Sequence, residues 1–142
     1  MAKLKGNLIM GQSGGPTAVI NSSLCGVVQE ALRYQEITGV YGMVNGIQGL
    51  LEENIVDLGK EDPEVIQGLR RTPAAALGSC RYKLKEDEYD KIVQTFKKYN
   101  IRYFVYNGGN DSMDTAYRVG EIAKDQDYEL RCMGVPKTVD ND

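Results

Sequence analysis

Three times along this chain a short apolar run stops at glycine, proline and small polar residues. Leu8-Ile9-Met10 runs into Gly11-Gln12-Ser13-Gly14-Gly15-Pro16-Thr17, and Arg102 to Tyr106 runs into Gly108-Gly109-Asn110-Asp111-Ser112. Leu130 to Val135 runs into Pro136-Lys137-Thr138-Val139-Asp140-Asn141-Asp142. A short apolar or β-branched run bounded by turn residues reads as a buried strand. Helical spacing follows the first two clusters, through Ile20, Leu24, Val27, Val28 and Ala31, then through Met113, Ala116, Val119 and Ala123. Strands alternating with helices restrict the chain to an α/β fold. The expected form is a doubly wound, mostly parallel sheet covered on both faces, a Rossmann-like three-layer arrangement. In such sheets ligands bind just beyond the carboxyl ends of the strands, where these clusters fall.

The remaining pattern fills in the layers. The first helix is expected to run to about Tyr34, with Pro16 in its first turn. Val40 to Val44 reads as a second strand, with Gly42, Gly46 and Gly49 marking loop. Ile55 to Leu58 reads as another short strand. Asp62 caps a short helix that starts at Pro63. A loop holds Leu77, Gly78, Ser79, Cys80 and Arg81. Tyr89, Ile92, Val93 and Phe96, at i, i+3, i+4 and i+7, predict an amphipathic helix.

Composition narrows the chemistry. With 142 residues, 42% of them hydrophobic and 26% charged, the chain suits one ordinary globular domain. A net charge of −3 gives no basis for nucleic-acid or membrane binding, so an anionic substrate needs local donors. There is no histidine, which leaves carboxylates, Lys, Arg and backbone amides for any catalysis. Cys25, Cys80 and Cys132 have no metal-ligand spacing and read as free thiols of a reducing cytoplasm. The basic stretch Met1 to Gly6 leads into an apolar run too short for a signal peptide or a membrane span.

Each cluster has a chemical and a plain reading. Gly11 to Thr17 lets backbone approach a phosphate at a helix N-terminus, or is simply a tight turn. It is neither a Walker A loop nor a full dinucleotide fingerprint. In Gly108 to Ser112, Asp111 or Ser112 can cap the helix, or the loop can serve a phosphate or a metal. Asp140 and Asp142 beside Lys137 suit phosphoryl transfer, which needs a base, a Mg²⁺ site and cations for the developing charge. The plain alternative is a solvated Asp/Asn turn. Arg81 is either a surface charge or a phosphate clamp.

Taken together and in order, these loops resemble the phosphofructokinase family over nearly the whole chain. Ser13-Gly14-Gly15 through Asn21 is similar to its first phosphate loop, and Gly78-Ser79-Cys80-Arg81 to its Gly-Ser-X-Arg loop. Gly108 to Ser112 is similar to its Mg²⁺ and donor loop, and Pro136 to Asp142 to its catalytic loop. The resemblance implies that Asp140 is the base for the sugar 1-hydroxyl. Thr138, Val139 and Asp140 would contact the sugar phosphate. Asn110 and Asp142 would serve Mg²⁺, Arg81 would bridge the two phosphates, and Gly14 and Gly15 would bind diphosphate.

Asp111 and Lys137 stand where ATP-using members carry, or usually carry, glycine, and are similar to pyrophosphate-using members. An Asp side chain there would crowd and repel an α-phosphate. Like charges in close contact cost about 4 kcal/mol at an effective dielectric of about 20. Lys137 can compensate the charge of the phosphate that leaves. Asn110 departs from the commoner Asp. Its amide oxygen binds a hard cation without the charge, so Asp111 is expected to share the task. The implied reaction is phosphoryl transfer from pyrophosphate to fructose 6-phosphate, in a cytoplasmic homo-oligomer that binds neither nucleic acid nor membrane. Members are more than twice as long, so residues 1–142 are expected to form an N-terminal phosphate-donor part that lacks the substrate part and is inactive alone. An ATP-dependent enzyme, a non-catalytic regulatory subunit and a general nucleotide-binding domain are the alternatives.

Overall fold

In the computed structural model, residues 4–13, 20–71, 75–78 and 84–136 are described. Five strands form one sheet: β1 (Gly6–Gln12), β2 (Ile37–Met43), β3 (Ile55–Asp57), β4 (Ile101–Gly108) and β5 (Arg131–Pro136). Among the described residues five α-helices accompany them: α1 (Ile20–Ala31), α2 (Gly46–Leu51), α3 (Pro63–Gly68), α4 (Glu86–Lys98) and α5 (Asn110–Asp125). The strand order is β3-β2-β1-β4-β5, with every neighbouring pair parallel except β2 and β3. The expected mostly parallel α/β sheet is therefore what the chain forms.

Alternation along the central strands sends side chains to opposite faces. Ile9, Phe104 and Tyr106 point into one layer, where they meet Ile47 and Leu50 of α2, Ile92, Val93 and Phe96 of α4, and Ala116, Val119 and Ala123 of α5. Leu8, Met10 and Val105 point into the other, against Leu24, Cys25, Val28 and Ala31 of α1 and against Ile66 and Leu77. The predicted α4 stripe of Tyr89, Ile92, Val93 and Phe96 is buried throughout. Phe96, Phe104 and Tyr106 pack in series, the first pair tilted with centroids 5.2 Å apart and the second stacked at 5.6 Å. Asp62 caps α3 as expected, its carboxylate accepting the Glu64 N–H at 2.8 Å.

Strand ends shift by one to three residues from the sequence reading, β2 starting at Ile37 and not Val40, and three larger differences have a physical cause. First, α1 ends at Ala31, not near Tyr34. Leu32 and Tyr34 are exposed there, so no apolar contact continues the helix. Second, the glycines read as loop after β2 belong partly to α2. Gly49 packs so closely on the Val44 carbonyl that a Cβ would overlap it, and Ile47 and Leu50 are buried beneath. Here glycine marks a close approach of backbone within a helix and not an irregular turn. Third, β3 stops at Asp57 and runs antiparallel to β2. Val44 N–H bonds the Asn54 carbonyl at 3.0 Å, so the chain folds back beside β2 without crossing over the sheet. Leu58–Lys60 is a 3₁₀ turn, capped by the Asp57 carboxylate on Gly59 N–H at 3.0 Å.

Among the described residues, no helix is long and apolar enough to cross a membrane. Cys25 and Cys132 are free thiols, and Cys80 lies outside the described residues.

Candidate functional site at the carboxyl edge of the sheet

The strand order reverses direction between β1 and β4: β2 and β3 lie beyond β1, and β5 lies beyond β4. This is the switch point at which α/β sheets open a crevice. The register aligns the loops that leave it. Gln12 pairs with Asn107, and Gly108 pairs with Pro136. The strand ends from which the three clusters continue therefore lie side by side at one edge.

Ser13, the first residue after β1, is in close contact with the end of β4. Ser13 N–H donates to the Asn107 carbonyl at 2.9 Å. A Cβ on Gly108 would overlap the Ser112 side chain and lie 3.2 Å from the Ser13 Cβ. Gly108 thus leaves the space that the Ser112 and Ser13 side chains occupy.

At the mouth of the β4 loop, α5 begins at Asn110 with Gly109 as its N-cap, and no side chain caps it. Of the two readings of this loop, capping by the Asp111 or Ser112 side chain is not what forms. Asp111 and Ser112 are the second and third residues of the first turn; the Ser112 N–H donates to the Gly109 carbonyl at 3.1 Å, and the N–H groups of Asn110 and Asp111 belong to the orphan set. Asn110 and Asp111 are exposed on that turn, and Ser112 is buried. An acidic side chain here is favourable toward the helix dipole, and the uncapped turn offers N–H groups to an anion.

The 75–78 turn reaches the same edge from below α1. Gly78 has φ +72°, and its N–H bonds the Ala75 carbonyl at 3.0 Å. Two buried side chains carry the connection. Gln12 Oε1 accepts the Leu77 N–H at 2.9 Å, and Asn21 Oδ1 accepts the Ala76 N–H at 2.8 Å. Gln12 Nε2 donates to Asn21 Oδ1 at 3.0 Å and to the Ile20 carbonyl at 3.2 Å. The Ile20 carbonyl also accepts from Asn107 Nδ2 at 2.9 Å. Asn107 Oδ1 is buried and has no donor among the described residues.

Of the sequence-predicted site residues, Asn110 and Asp111 are brought to this edge. Gly14, Gly15, Arg81, Lys137, Thr138, Val139, Asp140 and Asp142 lie outside the described residues. Gln12 and Asn107 carried no role in the sequence reading. Their signal was a polar residue closing an apolar strand directly before or at a glycine cluster. No group of three or more His, Cys, Asp or Glu side chains gathers among the described residues to hold a metal.

Cys132 on β5 is half-buried against the α5 layer, and burial pushes its thiol up to about 12, so it stays protonated at neutral pH.

Comparison with known proteins agrees with this geometry. The chain is 48% identical over 142 residues to the pyrophosphate–fructose 6-phosphate 1-phosphotransferase of Halomonas elongata, and covers 96% of this chain and 34% of that protein. It is 49% identical to the protein of the same name from Xanthomonas campestris, again over 96% of this chain and 34% of the relative. The crystal structure of a pyrophosphate-dependent phosphofructokinase from Nitrosospira multiformis superposes with a TM-score of 0.91 at 45% identity, over 96% of this chain and 35% of that one. The chain thus spans about a third of the length of these relatives. The phosphofructokinase model matches residues 7–142, from the second residue of β1 through all of the loops described above, and the chain belongs to the phosphofructokinase family.

Proposed function

We propose that this chain is the phosphate-donor part of an enzyme that transfers a phosphoryl group from pyrophosphate to the 1-hydroxyl of fructose 6-phosphate. The observation that carries the reading is Asp111, exposed on the first turn of α5, which follows directly on β4 at the carboxyl edge of the sheet. A carboxylate at that position opposes a third phosphate and its adenosine while leaving room for pyrophosphate. Similarity to relatives named for pyrophosphate supports the same choice.

In this reading the uncapped turn of α5 and the loop that continues from Ser13 hold the donor phosphates by backbone N–H groups, with Gly14 and Gly15 allowing close approach. Arg81 binds across donor and acceptor phosphates. Lys137 neutralises charge on the departing phosphate. Asp140 takes the proton of the sugar hydroxyl, and Thr138 and Val139 position the sugar phosphate.

Asn110, Asp111 and Asp142 present oxygen donors of the kind a hard cation takes, and two of the three are exposed at the site edge. Mg²⁺ bound there would neutralise phosphate charge during transfer. The sugar-phosphate pocket is built mostly by residues outside this sequence, and the working enzyme is a cytoplasmic homo-oligomer.

The test is donor competition on the full-length natural enzyme. Pyrophosphate should support turnover well above ATP, and faster turnover with ATP would overturn the donor assignment. Replacing both Asp111 and Lys137 by Gly should lower kcat/KM for pyrophosphate by about 100-fold, as loss of positioned charges at a phosphoryl-transfer site does. Unchanged donor preference in that double variant would remove the proposed mechanism. The 142-residue chain alone should show no turnover.

A further inference from the structure

Five polar residues are buried among the described residues: Gln12, Asn21, Thr95, Asn107 and Ser112. Thr95 bonds its own helix, donating to the Lys91 carbonyl at 3.1 Å. The other four gather at the carboxyl edge, and three of them are neutral amides. Gln12, Asn21 and Asn107 are 0%, 2% and 0% exposed.

Packing does not require these amides. Apolar residues at the ends of β1 and β4 would bury as much surface with no polar atom to satisfy. What the amides do is join backbone segments that no helix or sheet ladder joins. Gln12 ties the end of β1 to Leu77, and Asn21 ties the start of α1 to Ala76. Asn107 ties the end of β4 to the Ile20 carbonyl by its side chain and to Ser13 by its backbone. Between them the connections reach the roots of three loops: two end at the 75–78 turn, and the others at the residues that open the loops after β1 and β4. A buried, hydrogen-bonded amide network has few alternative arrangements, so it transmits the position of one loop to the next. Being neutral, it does so without placing a carboxylate beneath a site for anions. Asn107 Oδ1 is buried with no donor among the described residues.

We infer that Gln12, Asn21 and Asn107 are positioning residues, a buried amide brace that sets the spacing of the three phosphate loops and so governs affinity for the phosphoryl donor. The inference rests on the function proposed above, in that it takes those loops to bind the donor.

The test uses the full-length enzyme with the isosteric variant Gln12→Glu, which replaces the Nε2 donor by an oxygen facing two acceptors. KM and calorimetric Kd for pyrophosphate should rise about 10-fold at pH 8, while KM for fructose 6-phosphate stays within about twofold. The defect should shrink as pH falls, because a protonated glutamic acid regains one donor. Ile92→Ala, in the core of α4, is the control. It should lower Tm comparably and leave both KM values unchanged. Should Gln12→Glu fail to fold, Asn21→Ser carries the same measurements. Brace variants that lose Tm yet keep pyrophosphate KM and Kd within about twofold of wild type overturn the inference. So does a Gln12→Glu defect that is flat with pH. If the wild-type enzyme binds pyrophosphate but turns over only with ATP, the donor assignment falls while the brace is still judged on Kd. If it binds neither donor, both fall.

Discussion

The two rims of the sheet are held together by different chemistry. At the carboxyl rim, buried neutral amides and close-packed glycine join β1, β4, α1 and the 75–78 turn. At the amino rim, tyrosines and long charged side chains do the joining. Tyr128 OH donates to the Ile101 carbonyl at 2.5 Å and reaches the Phe96 carbonyl at 3.2 Å. Tyr103 OH donates to the Leu4 carbonyl at 2.6 Å, and Asn7 Nδ2 to the Tyr99 carbonyl at 2.8 Å. The Arg102 guanidinium lies 4.1 Å from the Tyr128 ring centroid and donates to the Glu129 carbonyl at 3.0 Å. An aromatic ring can be traded for another apolar group wherever only cohesion is needed. A rim that must leave space for an anion, keep charge away and fix loop spacing has fewer solutions. The difference separates a rim built for cohesion from one built for a site.

The sharpest way to break this comparison is Gly108→Ala. A methyl group there must displace the Ser112 side chain or the Ser13 Cβ. A shift of about 1 Å in a positioned site costs about 100-fold in rate. The full-length Gly108→Ala enzyme should therefore lose about 100-fold in kcat/KM for pyrophosphate. Circular dichroism should show that its helix content is kept. Activity within about threefold of wild type would mean that the two loops are not held in a strict relation.

Much of this layout was legible in the sequence, and the reasons for the exceptions are physical. The stripe on α4 and the runs of β1 and β4 were readable because each buries one regular face. The site edge was readable because strand ends in parallel sheets carry their turn chemistry in consecutive residues. α2 was hidden because its glycine is spent on a tertiary contact with Val44, which no local pattern reveals. The antiparallel turn of β3 was hidden because direction is decided by whether the intervening segment crosses the sheet. The roles of Gln12 and Asn107 were hidden because their partners, Leu77 and Ile20, are distant in the chain or are main-chain atoms. The plain alternative for Asp111 or Ser112, capping α5, fails because Gly109 takes the N-cap without a side chain.

The amino rim should respond in the opposite sense to the carboxyl rim. Tyr128→Phe keeps the ring that Arg102 covers but removes the hydroxyl that serves two backbone carbonyls. Leaving buried acceptors without a donor costs about 1–3 kcal/mol. Urea unfolding should show a loss in that range, with KM and kcat for both substrates unchanged at temperatures where the variant is folded. A change in donor KM without a change in stability would erase the distinction between the rims.

The smallest effect is also the one with a sign that can be checked against pH. Glu53 sits on the turn after α2 and takes Lys98 Nζ at 2.7 Å and Tyr99 OH at 2.9 Å. The hydrogen bond from Lys98, then that from Tyr99, holds its carboxyl below the ordinary carboxylate range. A carboxyl whose folded pKa is depressed adds stability above its unfolded pKa, and that stability is lost as pH falls through the folded value. Glu53→Gln should therefore be slightly less stable than wild type at pH 7, and the two should converge as pH drops below the ordinary carboxylate range. Because the pair is exposed to solvent, added salt should shrink the pH 7 difference as well. A difference that persists unchanged at low pH would assign the role of Glu53 to its left-handed backbone, φ 57°, and not to its charge.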